Sequence, residues 1–130
     1  MIIVDSGVWI DYFNGVGTME SDYLDSILGI KMVGLGDLIA AETLQGFRRD
    51  IDFENAKRLL QSLTIHSLLD ATRAINCAQN YRKLRKKGIT VRKTTDIIIA
   101  SFCISEGHKL LFSDRDFQPF VDHLGLQAAW

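Results

Sequence analysis

The sequence contains few cysteines, almost no net charge and no long apolar run. Cys77 and Cys103 lie far apart and form no CxxC motif, so neither a disulfide framework nor a zinc knuckle is indicated. The formal net charge is −1, so binding of nucleic acid would depend on a local basic patch rather than on the whole molecule. No apolar stretch approaches the length of a membrane span, and no basic segment precedes the first apolar residues. These absences predict a cytoplasmic protein with reduced thiols and no membrane contact.

The pattern of apolar residues predicts an α/β fold. The chain of 130 residues is long enough to bury a core, and it contains no linker, repeat or low-complexity stretch, so we expect one domain over residues 1–130. Strand and helix patterns alternate along it with short connections, which predicts a three-layer α/β/α domain with a central parallel sheet. Right-handed crossovers would bring the carboxyl ends of all the strands to one edge.

Several elements can be placed from the sequence. Strands are predicted at 1–4, 31–35, 64–67, 109–113 and 126–130, the last at an edge. Ser6 and Thr18 are expected to cap the first two helices. The segment 97–105 is apolar on nearly every side, so it should form a central, buried helix. A further amphipathic helix should bury one stripe, which is formed by Ala71, Ala74, Ile75, Ala78, Tyr81 and Leu84.

Four acidic residues stand where this fold would bring them together. Asp5 and Asp114 follow buried strands, Glu42 lies in an otherwise apolar helix, and Asp96 begins the most hydrophobic helix. Two unit charges about 4 Å apart repel by roughly 4 kcal/mol at an effective dielectric constant near 20, so a cluster of four without a cation would force protonation or disorder. No histidine or cysteine accompanies these acids, and an all-oxygen site suits Mg²⁺ or Mn²⁺. Such a site is typical of nucleases.

Each acid also has an ordinary structural interpretation. Asp5 could be a turn residue or a helix cap, and Asp96 and Asp116 could likewise be caps. Glu42 could form an ion pair with Arg48 or Arg49. The convergence of the acids on one predicted edge favours the metal site over these separate interpretations.

Basic residues cluster between positions 82 and 93, just before Asp96. They could be the solvated end of a helix, where cations are favoured by the helix dipole. They could equally be a rim that holds phosphate groups beside the acidic site, without reading a base sequence. The residues considered for RNA binding are Arg82, Lys83, Arg85 and Arg92.

Five segments, in this order, resemble PIN-domain proteins and, more narrowly, the VapC toxins of bacterial and archaeal type II toxin–antitoxin pairs. They are MIIVDS at 1–6, IAAETLQG at 39–46, YRKLR at 81–85, RKTTDIIIA at 92–100 and LLFSDRDF at 110–117. The resemblance covers nearly the whole chain, and its last two segments are the most specific. In one departure, Ser113 stands where many relatives have threonine.

The resemblance implies a Mg²⁺- or Mn²⁺-dependent endoribonuclease that cuts RNA and arrests translation. It carries the catalytic acids over to Asp5, Glu42, Asp96 and Asp114. Of these, Asp5, Asp96 and Asp114 would hold the cation, and Glu42 would hold or orient water. Ser6 and Asp116 match supporting positions, although either Asp114 or Asp116 could contact the metal directly; we favour Asp114.

The resemblance also implies a homodimer and an antitoxin that covers a hydrophobic groove. The expected contacts lie on the early helices and comprise Trp9, Tyr12, Phe13, Tyr23 and Leu24. Two rival functions remain. A phosphotransfer domain would need further acids directly after the first strand, where Ser6 and Gly7 stand. A non-catalytic PIN-fold module would act only by binding RNA or its antitoxin partner.

Overall fold

A five-stranded parallel sheet forms the centre of the molecule. The computed structural model describes all residues, Met1–Trp130. The strands are β1 (Ile2–Val4), β2 (Val33–Gly36), β3 (Thr64–His66), β4 (Lys109–Leu111) and β5 (Gln127–Ala128). They lie in the order β3-β2-β1-β4-β5, and every neighbouring pair is parallel. The predicted parallel sheet, with residues 126–130 contributing an edge strand, is therefore confirmed.

Seven α-helices flank the sheet. They are α1 (Ser6–Phe13), α2 (Met19–Ile27), α3 (Asp37–Gln45), α4 (Asp50–Gln61), α5 (Ala71–Lys86), α6 (Thr94–Glu106) and α7 (Gln118–Leu124), and a 3-10 turn at Arg115–Phe117 precedes the last. The main contacts join α1 to α2 and α3, and α3 to α4, whereas α5 packs on α6 and α7. This confirms the three-layer α/β/α architecture. None of the helices is both long enough and apolar enough to cross a bilayer.

The direction of strand addition reverses at β1. The chain runs outward from β1 through β2 to β3, and then crosses to place β4 and β5 on the other side of β1. At such a switch point the connections leave neighbouring strands in opposite directions and open a crevice at their carboxyl ends. Val4 pairs with Leu111, and the Asp5 amide donates to the Leu111 carbonyl at 3.0 Å. The residues that follow β1 and β4 therefore enter the same crevice.

The core is built around β1 and α6. All three residues of β1 are buried, and α6 buries eight consecutive residues from Asp96 to Cys103, which confirms the predicted central helix. Burying one large aliphatic side chain contributes roughly 1.5–3 kcal/mol, so this helix is held firmly against the sheet. The first turn of α6, which carries Asp96, is consequently fixed at the crevice.

The helix starts differ in part from the predicted ones. Thr18 caps α2 as predicted, because its Oγ1 accepts from the Ser21 amide at 3.0 Å. The predicted capping role of Ser6 is wrong. Asp5 occupies the N-cap of α1 with an extended backbone, and Ser6 is the first helical residue. Helix α1 therefore starts one residue earlier than a cap at Ser6 would place it, because β1 ends at Val4 and leaves Asp5 in the cap position.

The predicted buried stripe of α5 is wrong for its N-terminal half. Ala74 and Ala78 are exposed, and Ile75 is 63% exposed. The helix instead buries Cys77, Asn80 and Leu84. The Asn80 side-chain amide donates to the Ser101 hydroxyl of α6 at 2.9 Å. A buried amide with a partner is tolerated, so this polar pair decides which side of α5 faces α6.

The residues expected to contact an antitoxin are not all at the surface. Trp9 and Leu24 are completely buried and cannot contact a partner directly, so that part of the expectation is wrong. Tyr12, Phe13 and Tyr23 remain half-buried. The Trp9 and Phe13 rings stack with centroids 5.7 Å apart, so the buried Trp9 packs against the partly exposed Phe13 from the core side.

Candidate active site

Three aspartates meet at the switch point of the sheet. The carboxylate oxygens of Asp96, Asp114 and Asp116 lie within 4.8 Å of one another. Asp96 is buried in the first turn of α6, whereas the other two follow β4 and are half-buried. Asp114 Oδ1 accepts from the Asp116 amide at 2.9 Å. This hydrogen bond caps the 3-10 turn and places both carboxylates opposite α6.

Asp5 belongs to the same electrostatic group. It follows β1 directly and is 7% exposed. The pKa of Asp5 is raised from 3.8 to about 7, mainly by burial and also by the charges of Asp96 and Glu42, while the backbone amides of Ser6 and Gly7 oppose the rise. The rise shows that Asp5 lies in a poorly solvated place that already holds negative charge.

Asp96 is affected by the charges of three other acids, Asp114, Asp116 and Glu42. Burial raises the pKa of Asp96 to about 6, and the charge of Asp114 is the next cause, followed by the opposing effect of Lys93. Asp116 and Glu42 raise this pKa as well. A carboxyl group surrounded by like charges is costly to ionise, and Lys93 offsets part of this cost.

Glu42 is half-buried on α3 and contributes to the same field, because its charge raises the pKa values of Asp5 and Asp96. The alternative ion pairs with Arg48 or Arg49 do not form. Arg49 instead approaches Asp52 at 3.9 Å. The Glu42 carboxylate is therefore free of a basic partner.

The donor set fits a hard divalent cation. Asp96 Oδ2 is buried and has no hydrogen-bond partner, and an unpaired buried polar atom costs about 1–3 kcal/mol, more when it is charged. All the candidate ligand atoms are carboxylate oxygens, which Mg²⁺ and Mn²⁺ prefer.

Two further residues stand beside the acids, and neither of them was assigned a role from the sequence. A Cβ atom added to Gly7 would lie 3.8 Å from Asp5 Oδ2 and 3.8 Å from Ser113 Oγ. Gly7 therefore leaves open space between a predicted acid and a hydroxyl from the neighbouring strand connection. The available signal was their position, since Gly7 follows the Asp5–Ser6 pair and Ser113 precedes Asp114.

The predicted RNA-binding residues form a basic rim along the end of α5 and the connection that follows it. Arg82, Lys83 and Arg85 are exposed near the end of α5, and Arg92 is exposed in the connection to α6. None of them forms an ion pair. Lys93, the next residue along this connection, lowers the pKa of Asp96. The connection thus joins the rim to the acidic site.

The fold and site together define a class of protein. Carboxylates gathered at the switch point of a parallel sheet are typical of hydrolases that use a hard cation. Comparison with known families agrees, since the PIN domain model matches residues 2–120.

Individual relatives narrow this class. The chain is 30% identical over 131 residues to VapC ribonuclease Mb1587 of Mycobacterium bovis and to ribonuclease VapC11 of Mycobacterium tuberculosis. Each alignment covers 99% of this chain and 98% of the relative. The chain therefore belongs to the PIN-domain family, in the branch of the VapC ribonucleases.

Solved structures share the fold. VapBC2 from Rickettsia felis, crystallised with a DNA fragment from its promoter, superimposes with a TM-score of 0.76 at 17% identity, covering 100% of this chain and 99% of the other. VapBC-1 from nontypeable Haemophilus influenzae gives 0.73 at 16% identity, with coverages of 98% and 96%.

Proposed function

We propose that the protein is a divalent-metal-dependent endoribonuclease, the toxin of a type II toxin–antitoxin pair, which hydrolyses RNA phosphodiester bonds and thereby inhibits translation. The observation that carries this proposal is the cluster of Asp96, Asp114 and Asp116, with Asp5 and Glu42 in electrostatic reach. The relatives that are 30% identical are ribonucleases by name, which supports RNA as the substrate.

In this proposal Asp5, Asp96 and Asp114 hold the cation, which is Mg²⁺ or Mn²⁺. When bound, the cation would supply positive charge to the phosphoryl oxygens of the transition state. The half-buried Glu42 orients the attacking water and accepts its proton at a carboxylate oxygen. Asp116 supports Asp114 through its backbone hydrogen bond, and Ser6 supports Asp5 as its neighbour in α1.

The basic rim of Arg82, Lys83, Arg85 and Arg92 holds the RNA backbone. Each side chain is exposed and free of an ion pair, so its charge is available to a phosphate group. The rim lies at the end of the connection that leads to Asp96, so a backbone bound there would continue into the acidic crevice.

We include two protein partners in the proposal. One solved structure of this fold is by title a toxin–antitoxin complex from Klebsiella pneumoniae, which supports an antitoxin as the partner of this chain, with contacts at the partly exposed Tyr12, Phe13 and Tyr23. Homodimer formation follows from the family resemblance. An RNA substrate and an antitoxin partner would both be met in the cytoplasm, where we expect the protein to act.

The test uses purified protein with total RNA and Mn²⁺, followed by sequencing of new 5′ ends. We expect discrete ends that are absent in EDTA and in Asp96→Asn. Asp25→Asn is the matched control, because Asp25 is an exposed aspartate on α2 and this variant should cut as the native protein does. Ends that persist in both EDTA and Asp96→Asn would overturn the proposal.

The rival function is a non-catalytic module that only binds RNA or an antitoxin. It predicts that Mn²⁺ stabilises the fold or RNA binds, while no new 5′ ends form under any condition. The free carboxylates at Asp96 and Glu42 favour catalysis, because a binding surface for RNA would not gain from unneutralised negative charge.

A further inference from the structure

A pocket opens at the same edge of the sheet as the acids. Its volume is about 260 Å³, somewhat below the roughly 300–1,000 Å³ of pockets that hold drug-sized ligands, so it suits a single planar ring system. The residues that matter for its chemistry are Glu20, Phe112, Ser113, Arg115, Gln118 and Trp130.

The edge strand β5 brings Trp130 to the pocket. Leu110 of β4 pairs with Ala128 of β5, and the Ala129 amide donates to the Leu110 carbonyl at 2.9 Å. The parallel register therefore sets Trp130 beside Phe112. Both residues lie past the carboxyl ends of their strands, at the edge where the acids gather.

The pocket and the acidic site share the connection after β4. Ser113 and Arg115, which both line it, stand on either side of Asp114 in the chain. The Ser113 hydroxyl also lies near the space above Gly7 that is bounded by Asp5 Oδ2. A strand of RNA with a phosphate group at the acids would therefore have an adjacent base within reach of this pocket.

Trp130 is exposed but held in position. It is 53% exposed, and its ring packs on that of Tyr23 with centroids 5.4 Å apart and planes inclined by 31°. The Tyr23 hydroxyl donates to the Ala129 carbonyl at 3.4 Å. An exposed indole with a fixed orientation provides a platform on which a base can stack at little cost in conformational entropy.

The polar groups around the indole match the edges and the charge of a nucleotide. Gln118 Nε2 donates to Asp122 Oδ1 at 3.0 Å, which leaves the Gln118 carbonyl oxygen available as an acceptor. Glu20 supplies further acceptors. Arg115 is exposed and free of an ion pair, so its guanidinium is available to a phosphate group.

We propose that this pocket is a nucleobase subsite, in which a base next to the cleaved phosphate stacks on Trp130. Glu20, Gln118 and Ser113 contact the edge of that base, and Arg115 contacts the adjoining phosphate group. The subsite rests on the proposed ribonuclease function and adds a source of base preference, which the basic rim cannot provide because phosphate contacts carry no sequence information.

Binding can be tested apart from cleavage by using Asp96→Asn in EDTA. The chain has two tryptophans, and Trp9 is completely buried, so quenching of fluorescence by RNA would report on Trp130. The probes are oligoadenylate, oligocytidylate and oligouridylate. We expect quenching by at least one probe, and no quenching when Trp130→Phe is added. Equal quenching with and without Trp130 would overturn the subsite.

The affinity of the protein for the preferred probe measures how much stacking on Trp130 contributes to binding. Base stacking on an aromatic side chain corresponds to about 5- to 150-fold in affinity, so Trp130→Ala should weaken binding by that factor, and Trp130→Phe should restore most of it. Ile30→Ala is the control, because Ile30 is 81% exposed and precedes β2 at the opposite edge of the sheet. Unchanged affinity in Trp130→Ala would contradict the subsite.

Cleavage provides the second measurement. RNA with a randomised central stretch is cut in Mn²⁺ by the native protein and by Trp130→Ala, and the bases that flank each cut are counted. We expect Trp130→Ala to lose preference at one flanking position, with a larger change in KM than in kcat. No cleavage by the native protein would refute the ribonuclease proposal, whereas cleavage with an unchanged base preference in Trp130→Ala would refute only the subsite.

Discussion

Asp96 and Asp114 present carboxylate oxygens within 4.8 Å of each other, although one stands in the first turn of α6 and the other follows β4. After burial, the charge of Asp114 is the largest cause of the raised pKa of Asp96. The fold therefore holds two like charges together against their repulsion. The predictions below follow from how this repulsion responds to a cation, to protons and to substitution.

Divalent cations should stabilise the protein. Mn²⁺ at 100 times its dissociation constant would add about 2.7 kcal/mol to the free energy of unfolding, which is measurable as a higher Tm. Asp96→Asn should remove most of this rise. Asp25→Asn, which changes an exposed acid on α2, should keep it. A rise of equal size in Asp96→Asn would exclude Asp96 as a ligand.

Without metal, the free energy of unfolding should fall as the pH rises from about 4 to about 7. The pKa of Asp5 is raised to about 7 and that of Asp96 to about 6 in the folded protein, from 3.8. The folded state therefore binds more protons than the unfolded state in this range, and stability is lost as the pH rises through the folded values.

Urea unfolding in EDTA at several pH values measures this slope. In Asp5→Asn the fall should be shallower, because the substituted residue no longer titrates. Metal binding should strengthen over the same pH range, since the ligands must lose their protons. A slope in Asp5→Asn as steep as that of the native protein would contradict the assignment to Asp5.

Asp114→Asn and Asp114→Ala should separate two roles of one side chain. Asparagine keeps an oxygen that can accept from the Asp116 amide, as Asp114 Oδ1 does at 2.9 Å, but it removes the charge. Both variants should lose stabilisation by Mn²⁺, and only Asp114→Ala should lose the cap. We expect Asp114→Ala to be less stable than Asp114→Asn by about 0.5–2 kcal/mol, measured by chemical denaturation without metal.

Asp116 provides the comparison for the direct metal contact. If Asp114 contacts the cation and Asp116 only supports it, Asp116→Asn should keep more of the stabilisation by Mn²⁺ than Asp114→Asn does. The reverse order would assign the direct contact to Asp116.

Neutralising the basic rim should weaken RNA binding without altering the metal site. Each of Arg82→Gln, Arg85→Gln and Arg92→Gln should reduce the slope of log affinity against log salt concentration by about 1, because one phosphate contact is lost. Stabilisation by Mn²⁺ should be unchanged. Arg58→Gln is the control, since Arg58 is an exposed cation on α4. A salt slope that is unaffected by the three variants would exclude the rim as the phosphate contact.

The parts of the fold that were predictable are those that local sequence determines. A continuous apolar run ending in Asp5 predicted β1, and the uniformly apolar segment 97–105 predicted the buried part of α6. The buried side of α5 was not predictable, because its apolar residues lie on more than one side. The contact of Asn80 with Ser101 decides its orientation, and that contact exists only once α6 is in place.

The candidate site, like the fold, has features that could be predicted from the sequence and features that could not. From the sequence alone one could read the residue types and their order, namely acids directly after strands and at a helix start, in a pattern that resembles one family. Tertiary structure decided which acids meet, since Asp96, Asp114 and Asp116 share one crevice only because β4 pairs with β1. It also decided that Trp130 lies in one pocket with Phe112 and Ser113, because the register of β5 on β4 is set by backbone hydrogen bonds that the side-chain pattern does not encode.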